Sequence, residues 1–260
     1  ARPNFMKVAP VLECLKTLDC NFNSIIVHTG QHYDKNMSSD ILADLKFPEP
    51  DYLLGIGGGS HSTQTAKVLI EFEKVCLESD PALVVVAGDV NSTLGCALVA
   101  SKLNIKVAHI ESGLRSFDRN MPEEINRIVT DHISDFLFTS EESGKINLLK
   151  EGINPSKIYF VGNCMIDSLI KNLPLALRTK PWLKYGFSGE DYILMTLHRP
   201  SNVDNVESLI SIIDEISIAS EKIPIIFSVH PRTLKNIESY EINIPKNIIM
   251  IDPLPYLKFL

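Results

Sequence analysis

Short runs of β-branched and aliphatic residues alternate along the chain with longer stretches whose apolar positions recur every three or four residues. The runs Ser24–His28, Ala82–Ala87, Lys106–Ile110, Phe136–Phe138, Ile158–Val161, Tyr192–Leu197, Ile225–Val229 and Ile248–Ile251 predict strands. Leu83-Val84-Val85-Val86 carries apolar side chains on both faces, the pattern of a buried parallel strand. The stretches Phe5–Leu18, Ser62–Leu77, Ser92–Leu103, Pro122–Ile133, Glu141–Lys150, Ile166–Leu177 and Val206–Ser220 predict helices. Strand–helix alternation of this kind implies parallel sheets with right-handed crossovers, the doubly wound α/β class. The segment Leu173–Asp191, with Pro174, Pro181, Gly186 and Gly189, reads as a linker, after which the βα pattern restarts at Tyr192. Two units are expected, 1–172 and 173–260. The first opens on a loop-to-helix transition, without a first strand, and the second reads as incomplete. Both ends look cut: Ala1-Arg2-Pro3 lacks an initiator Met and a signal segment, and Tyr256–Leu260 starts a helix without a stop.

Composition narrows the class. At roughly 150 residues per domain, 260 residues make about 1.7 domains. With 45% hydrophobic and 22% charged residues the chain falls among ordinary globular proteins, not disordered or collagen-like ones. The longest strongly apolar run, Ala82–Ala87, is far below the ~18 residues that span a bilayer, so no membrane partner is expected. A net charge of −7 argues against a duplex nucleic-acid binder, which needs a basic face. Dispersed aromatics argue against a stacking platform for single strands. Five cysteines, Cys14, Cys20, Cys76, Cys96 and Cys164, show no C-x-x-C spacing; they read as reduced thiols of a cytoplasmic protein and not as a zinc site.

Ligands of open α/β sheets bind beyond the carboxyl ends of the strands. The residues there are His28-Thr29-Gly30-Gln31-His32, Gly88-Asp89-Val90-Asn91-Ser92, Glu111-Ser112-Gly113-Leu114-Arg115, His198-Arg199-Pro200-Ser201-Asn202 and His230-Pro231-Arg232. Asp89 and Glu111 follow strands expected to be neighbours, and paired carboxylates in different surroundings suit proton transfer. The competing reading of Asp89 is a helix N-cap. Pro122-Glu123-Glu124-Ile125-Asn126-Arg127 reads as a helix start stabilised by first-turn acids and a Glu123–Arg127 pair. Arg2 and Lys7 flank the first predicted helix start, where cations suit a phosphate; the alternative is two solvated bases. Gly55–Ser60 lacks the ending of a P-loop and reads as a loop. His28 and His32 are separated by Gly30, which argues against a helical metal site, and no metal is expected.

With these residues in place, the sequence resembles the non-hydrolysing UDP-N-acetylglucosamine 2-epimerases. The match runs through Arg2-Pro3…Lys7-Val8-Ala9-Pro10, Thr29-Gly30-Gln31-His32, Gly88-Asp89, His109-Ile110-Glu111-Ser112-Gly113-Leu114-Arg115-Ser116, Pro122-Glu123-Glu124-Ile125-Asn126-Arg127, Gly162-Asn163…Ile166-Asp167 and His198-Arg199. The resemblance implies two Rossmann-like domains facing a cleft, the glycosyltransferase-B-like architecture, usually as a homodimer. It implies interconversion of UDP-N-acetylglucosamine and UDP-N-acetylmannosamine for surface polysaccharide, by elimination and re-addition of UDP through a 2-acetamidoglucal. No hydride moves, so no cofactor is implied. By resemblance Asp89, Glu111 and Glu123 are the catalytic carboxylates, supported by Arg127, while Arg2, Lys7 and His198 contact the diphosphate and Phe259 the base. Gln31, His32, Arg199 and His230 belong to the regions that in bacterial members bind a second nucleotide sugar as activator. The chain departs from the family there, carrying His198-Arg199-Pro200-Ser201-Asn202 where members often have His-Arg-Arg-Glu-Asn, and it lacks the Ser-Gly-Gly…Glu-Glu segment that holds the uridine. The alternatives are a hydrolysing epimerase that releases N-acetylmannosamine and UDP, a glycosyltransferase of the same fold, and a noncatalytic nucleotide-sugar binder.

Overall fold

The computed structural model describes residues 2–18, 22–30 and 47–260, without the side chains of Arg2 and Pro3. Cys20, Gln31 and His32 lie outside the described residues. The chain divides into two compact units, Ala1–Pro174 and Leu175–Leu260.

The first unit opens with α1 (Arg2–Thr17), a short parallel pair β1 (Val27–His28) and β2 (Tyr52–Leu53), and α2 (His61–Ser79). The Ser60 hydroxyl caps α2 by accepting from Thr63 N at 3.2 Å. Then follow β3 (Leu83–Ala87), α3 (Asn91–Lys102), β4 (Lys106–Ile110), α4 (Pro122–Ile133), β5 (Phe136–Thr139), α5 (Glu142–Lys150), β6 (Ile158–Phe160) and α6 (Cys164–Thr179). Strands β3 to β6 form a four-stranded parallel sheet in sequence order, with Ala87 opposite Ile110 and Ile110 opposite Phe138. Its core joins Val68, Phe72 and Val75 of α2 to Val84 and Val86 of β3, Ala97 and Ala100 of α3, and Val107 of β4.

Two expectations change. The cluster with α2 and α3 takes only the Val84 and Val86 face of β3, so Leu83 and Val85 are 44% and 48% exposed. The linker signal is overridden too: α6 runs through Pro174 to Thr179. Ser168, Asn172 and Ala176, spaced by four, are all buried, and that packing sustains the helix despite the amide lost at proline. The remainder of the stretch holds a 3-10 turn, Pro181–Tyr185.

The second unit contains β7 (Ile193–Met195), α7 (Pro200–Val203), α8 (Val206–Ser220), β8 (Ile225–Ser228), α9 (Pro231–Ser239), β9 (Ile248–Ile251) and α10 (Tyr256–Phe259). The strands form a parallel sheet in the order β7-β8-β9, with every residue of β8 buried at its centre. Val203, Leu209, Ile213, Ile225, Phe227 and Ile237 make its core. The apolar pattern does not predict α9, whose buried side chains are Thr233 and Ile237.

Gly113 shows how tightly the first unit closes around the end of β4. It sits at φ +81°, and a Cβ there would lie 2.3 Å from the Gly144 carbonyl oxygen at the start of α5. That obstacle is backbone and cannot rotate away. Gly113→Ala is therefore expected to destabilise the protein by more than ~2 kcal/mol, combining overpacking with left-handed strain, read as a lower denaturation midpoint.

Candidate active site

The register of the first sheet brings two carboxylates together. β3 and β4 are hydrogen-bonded neighbours that end at the paired residues Ala87 and Ile110. Each is followed by a left-handed residue, Gly88 at φ +69° and Glu111 at φ +69°. Gly88 N donates to Ile110 O at 3.1 Å, and the amides of Glu111 and Ser112 both donate to Phe138 O, at 3.0 and 3.1 Å. Asp89 and Glu111 thus leave adjacent strands at the same edge of the sheet. Left-handed backbone at a non-glycine residue costs on the order of 1–3 kcal/mol, and here it falls on one of the two carboxylates.

Helix α1 lies against this edge. Asn4 Nδ2 donates to Ala87 O at 2.8 Å, and a Cβ on Gly88 would lie 2.8 Å from Asn4 Oδ1 and 2.9 Å from Lys7 Nζ. The Lys7 side chain is buried and its ammonium pairs with the Glu111 carboxylate. Because α1 begins at Arg2 rather than Phe5, Lys7 sits beyond the first turn; it is neither at the helix start nor a solvated base. Arg2 is on the first turn, with its side chain outside the described residues.

Helix α4 approaches from the other side. Arg127 donates to Asp89 Oδ2 at 2.5 Å and to Glu124 Oε2 at 2.9 Å. The Glu123–Arg127 pair expected from spacing does not form; the i,i+3 partner Glu124 takes its place because Glu124 turns inward. Glu124 also accepts the amides of Ser116 and Phe117, at 3.0 and 2.9 Å. Burial works to raise its carboxyl, but those amides and Arg127 outweigh burial and hold it below the ordinary carboxylate range. Glu123 is half-buried on the first turn and, among the described residues, its carboxylate has no hydrogen-bond or ion-pair partner. Nor is Asp89 the helix N-cap. Val90 occupies that position, and the Asp89 carboxylate turns to Arg127 instead. Asn126 Nδ2 fixes the Asp89 carbonyl at 2.9 Å.

Beneath the two carboxylates runs a buried polar chain. His109 Nε2 is 2.8 Å from the Gly88 carbonyl oxygen, and His109 Nδ1 is 2.7 Å from Asp131 Oδ1. Asp131 Oδ2 accepts from Gly113 N at 3.0 Å and from Arg115 at 2.7 Å. Arg115 also makes two bonds of 2.7 Å to Glu151. Burial pushes the Asp131 carboxyl up, and His109 and Arg115 more than reverse this, leaving it below its ordinary value. Sequence reasoning assigned no site role to Asn4, His109, Arg115, Glu124, Asn126 or Asp131. The available signal was His109, a polar residue inside an otherwise apolar strand run.

In the second unit, His198 and His230 follow β7 and β8 and lie side by side, ring centroids 5.9 Å apart. His230 caps α9, its ring accepting from Arg232 N at 3.2 Å, and Arg199 holds the N-cap position of α7. All three are exposed. Phe259 on α10 lines an apolar pocket with Trp182, Tyr185 and Leu254. Among the described residues no cluster of His, Cys, Asp and Glu is arranged to hold a metal, and no helix is long and apolar enough to cross a membrane.

Comparison with known proteins sets this geometry in context. The profile of the family described as UDP-N-acetylglucosamine 2-epimerase matches residues 16–260. A UDP-N-acetylglucosamine 2-epimerase of Methanocaldococcus jannaschii is 47% identical over 100% of this chain and 73% of its own length. A UDP-2,3-diacetamido-2,3-dideoxy-D-glucuronate 2-epimerase of Pseudomonas aeruginosa is 42% identical over 100% of this chain and 72% of its own. A crystal structure of the M. jannaschii UDP-GlcNAc 2-epimerase in complex with UDP-GlcNAc and UDP superposes with a TM-score of 0.87, covering 99% of this chain and 73% of that one. The shared fold bears out the α/β, glycosyltransferase-B-like class expected from the sequence.

Proposed function

We propose, since the chain belongs to the UDP-N-acetylglucosamine 2-epimerase family, that it interconverts UDP-N-acetylglucosamine and UDP-N-acetylmannosamine without net hydrolysis. The observation that supports this reading most directly is the pair Asp89 and Glu111 on adjacent strand ends, one carboxylate bonded to Arg127 and the other to Lys7. The C2 hydrogen of the sugar has no neighbouring carbonyl, so direct deprotonation would leave an unstabilised carbanion. Elimination avoids this. A carboxylate takes the C2 proton, the C1–O bond to UDP breaks, and a C1=C2 double bond forms in a 2-acetamidoglucal. UDP then adds back at C1 while a proton is delivered to the opposite face of C2. Two carboxylates with separate partners serve those two proton transfers. Glu123, its carboxylate without a partner in its own helix, is the third candidate acid or base, and Arg127 orients Asp89. Lys7, Arg2 and His198 are assigned to the negative charge gathering on the departing diphosphate, where fixed cations lower the barrier most. Phe259 is assigned to the base.

In this reading the first unit carries out proton transfer and the second binds nucleotide. Gln31, His32, Arg199 and His230 form the candidate activator region. The protein works as a cytoplasmic homodimer supplying a precursor of surface polysaccharide.

The test is to incubate the intact protein with UDP-N-acetylglucosamine in deuterated water. The expected result is deuterium at C2 together with UDP-N-acetylmannosamine. Free N-acetylmannosamine and UDP would point to hydrolysis instead, and no exchange at C2 would remove both readings. The 42% identity to the diacetamido-glucuronate enzyme supports a second reading with the same C2 chemistry on a different sugar. Comparing kcat/KM for the two nucleotide sugars decides between them.

A further inference from the structure

We infer that His109 is a positioning residue for the proton transfers proposed above, a bridge that fixes the turn carrying Asp89 against the turn carrying Glu111. The inference rests on that functional reading and on the geometry of one ring. His109 sits on β4 two residues before Glu111, yet its Nε2 reaches across to the carbonyl of Gly88, the residue before Asp89. Its Nδ1 meets Asp131, whose other oxygen holds the amide of Gly113, two residues after Glu111. One side chain therefore connects the ends of both strands.

A carbonyl and a carboxylate both accept hydrogen bonds, so the ring donates from both nitrogens. The second oxygen of Asp131 already receives an amide and a guanidinium N–H, which keeps that carboxylate an acceptor. The charged groups facing the ring are Asp131 directly, from α4, and Arg115 and Glu151 through it. Its cross-strand neighbours on β3 and β5 are Val86 and Leu137, both apolar and buried. With no water-exposed path, neither bond has a substitute partner once the ring is lost.

This bridge has a function that packing alone would not require. Gly88 is already held by Ile110 through its amide, so the bond from His109 serves the carbonyl that sets the direction in which Asp89 leaves the strand. A displacement of about 1 Å between reacting groups costs on the order of 10²-fold in rate, and it leaves the remote nucleotide contacts untouched.

The experiment combines kinetics with spectroscopy of the intact protein. In His109→Gln, whose amide can donate to only one of the two acceptors' positions, kcat for deuterium exchange at C2 is expected to fall ~10–100-fold with KM within about twofold. Unchanged kcat, or a loss of activity that only tracks the fraction folded, would overturn the inference. Should the variant not fold, nitrogen-15 spectra of histidine-labelled wild type decide the matter. Slowly exchanging protons on both ring nitrogens of His109 support the bridge, and a bare nitrogen at either position sinks it. Wild type inactive in C2 exchange would defeat the functional reading, whereas active wild type with an indifferent His109→Gln would defeat this inference alone.

Discussion

Glu111→Gln is expected to slow deuterium exchange at C2 by roughly 10²- to 10⁴-fold, the range by which a positioned acid or base accelerates proton transfer. The substitution keeps the length and planarity of the side chain. Its amide oxygen can still accept from the buried Lys7 ammonium, so the cation is not stranded. What is lost is the ability to take up and return a proton. The expected outcome is a folded protein, seen by circular dichroism, with little exchange in a single-turnover assay. Exchange at the wild-type rate would show that Glu111 merely anchors Lys7 and that Asp89 and Glu123 carry the proton transfers between them.

The second large effect concerns stability. Asp131→Ala removes the anion shared by His109 and Arg115 and strips the Gly113 amide of its acceptor. Both Asp131 and His109 are fully buried, so solvent cannot compensate. Breaking a buried pair by deleting one partner costs about 3–5 kcal/mol, a large share of the 5–15 kcal/mol that ordinarily separates folded from unfolded protein. Urea denaturation at neutral pH measures it. The pH dependence has a definite sign. The folded carboxyl of Asp131 is held below its ordinary value, so its stabilisation is complete above the unfolded value of about 3.9 and disappears as pH falls through the lower folded one. Wild type and Asp131→Ala should therefore differ most near neutrality and converge in acid. A gap that widens in acid would mean that the aspartate is protonated in the folded state.

The contrast between these residues shows what could be read from the chain. Asp89 and Glu111 were legible because strand ends mark ligand sites in open sheets, and because consecutive apolar runs predicted that β3 and β4 would pair. Their partners were legible only through the resemblance, which offered Arg127 as a support for the carboxylates. Local spacing offered Glu123 to Arg127, but only the tertiary approach of α4 decides that Glu124 faces inward and that Arg127 reaches Asp89, 38 positions earlier. The same applies to Asp131, whose burial depends on a turn of α4 that propensity does not orient. Two prolines and two glycines made Leu173–Asp191 look like a break, yet a buried face spaced by four residues carried the helix through Pro174. Helix α9 is not signalled for the opposite reason: its fully buried positions are Thr233 and Ile237, with Leu234 packed partly buried against the core, a stripe too short and too polar to stand out. Periodicity reports how a segment meets the core. It does not report which polar groups meet each other there.

The left-handed backbone of Glu111 also bears on how such a protein could be improved. Glycine tolerates that conformation and glutamate resists it, but glycine here would leave the buried Lys7 ammonium without its carboxylate, a cost larger than the strain it relieves. A search for a hardier variant therefore has nothing to gain at this position and must look where strain and charge pairing are not combined in one residue.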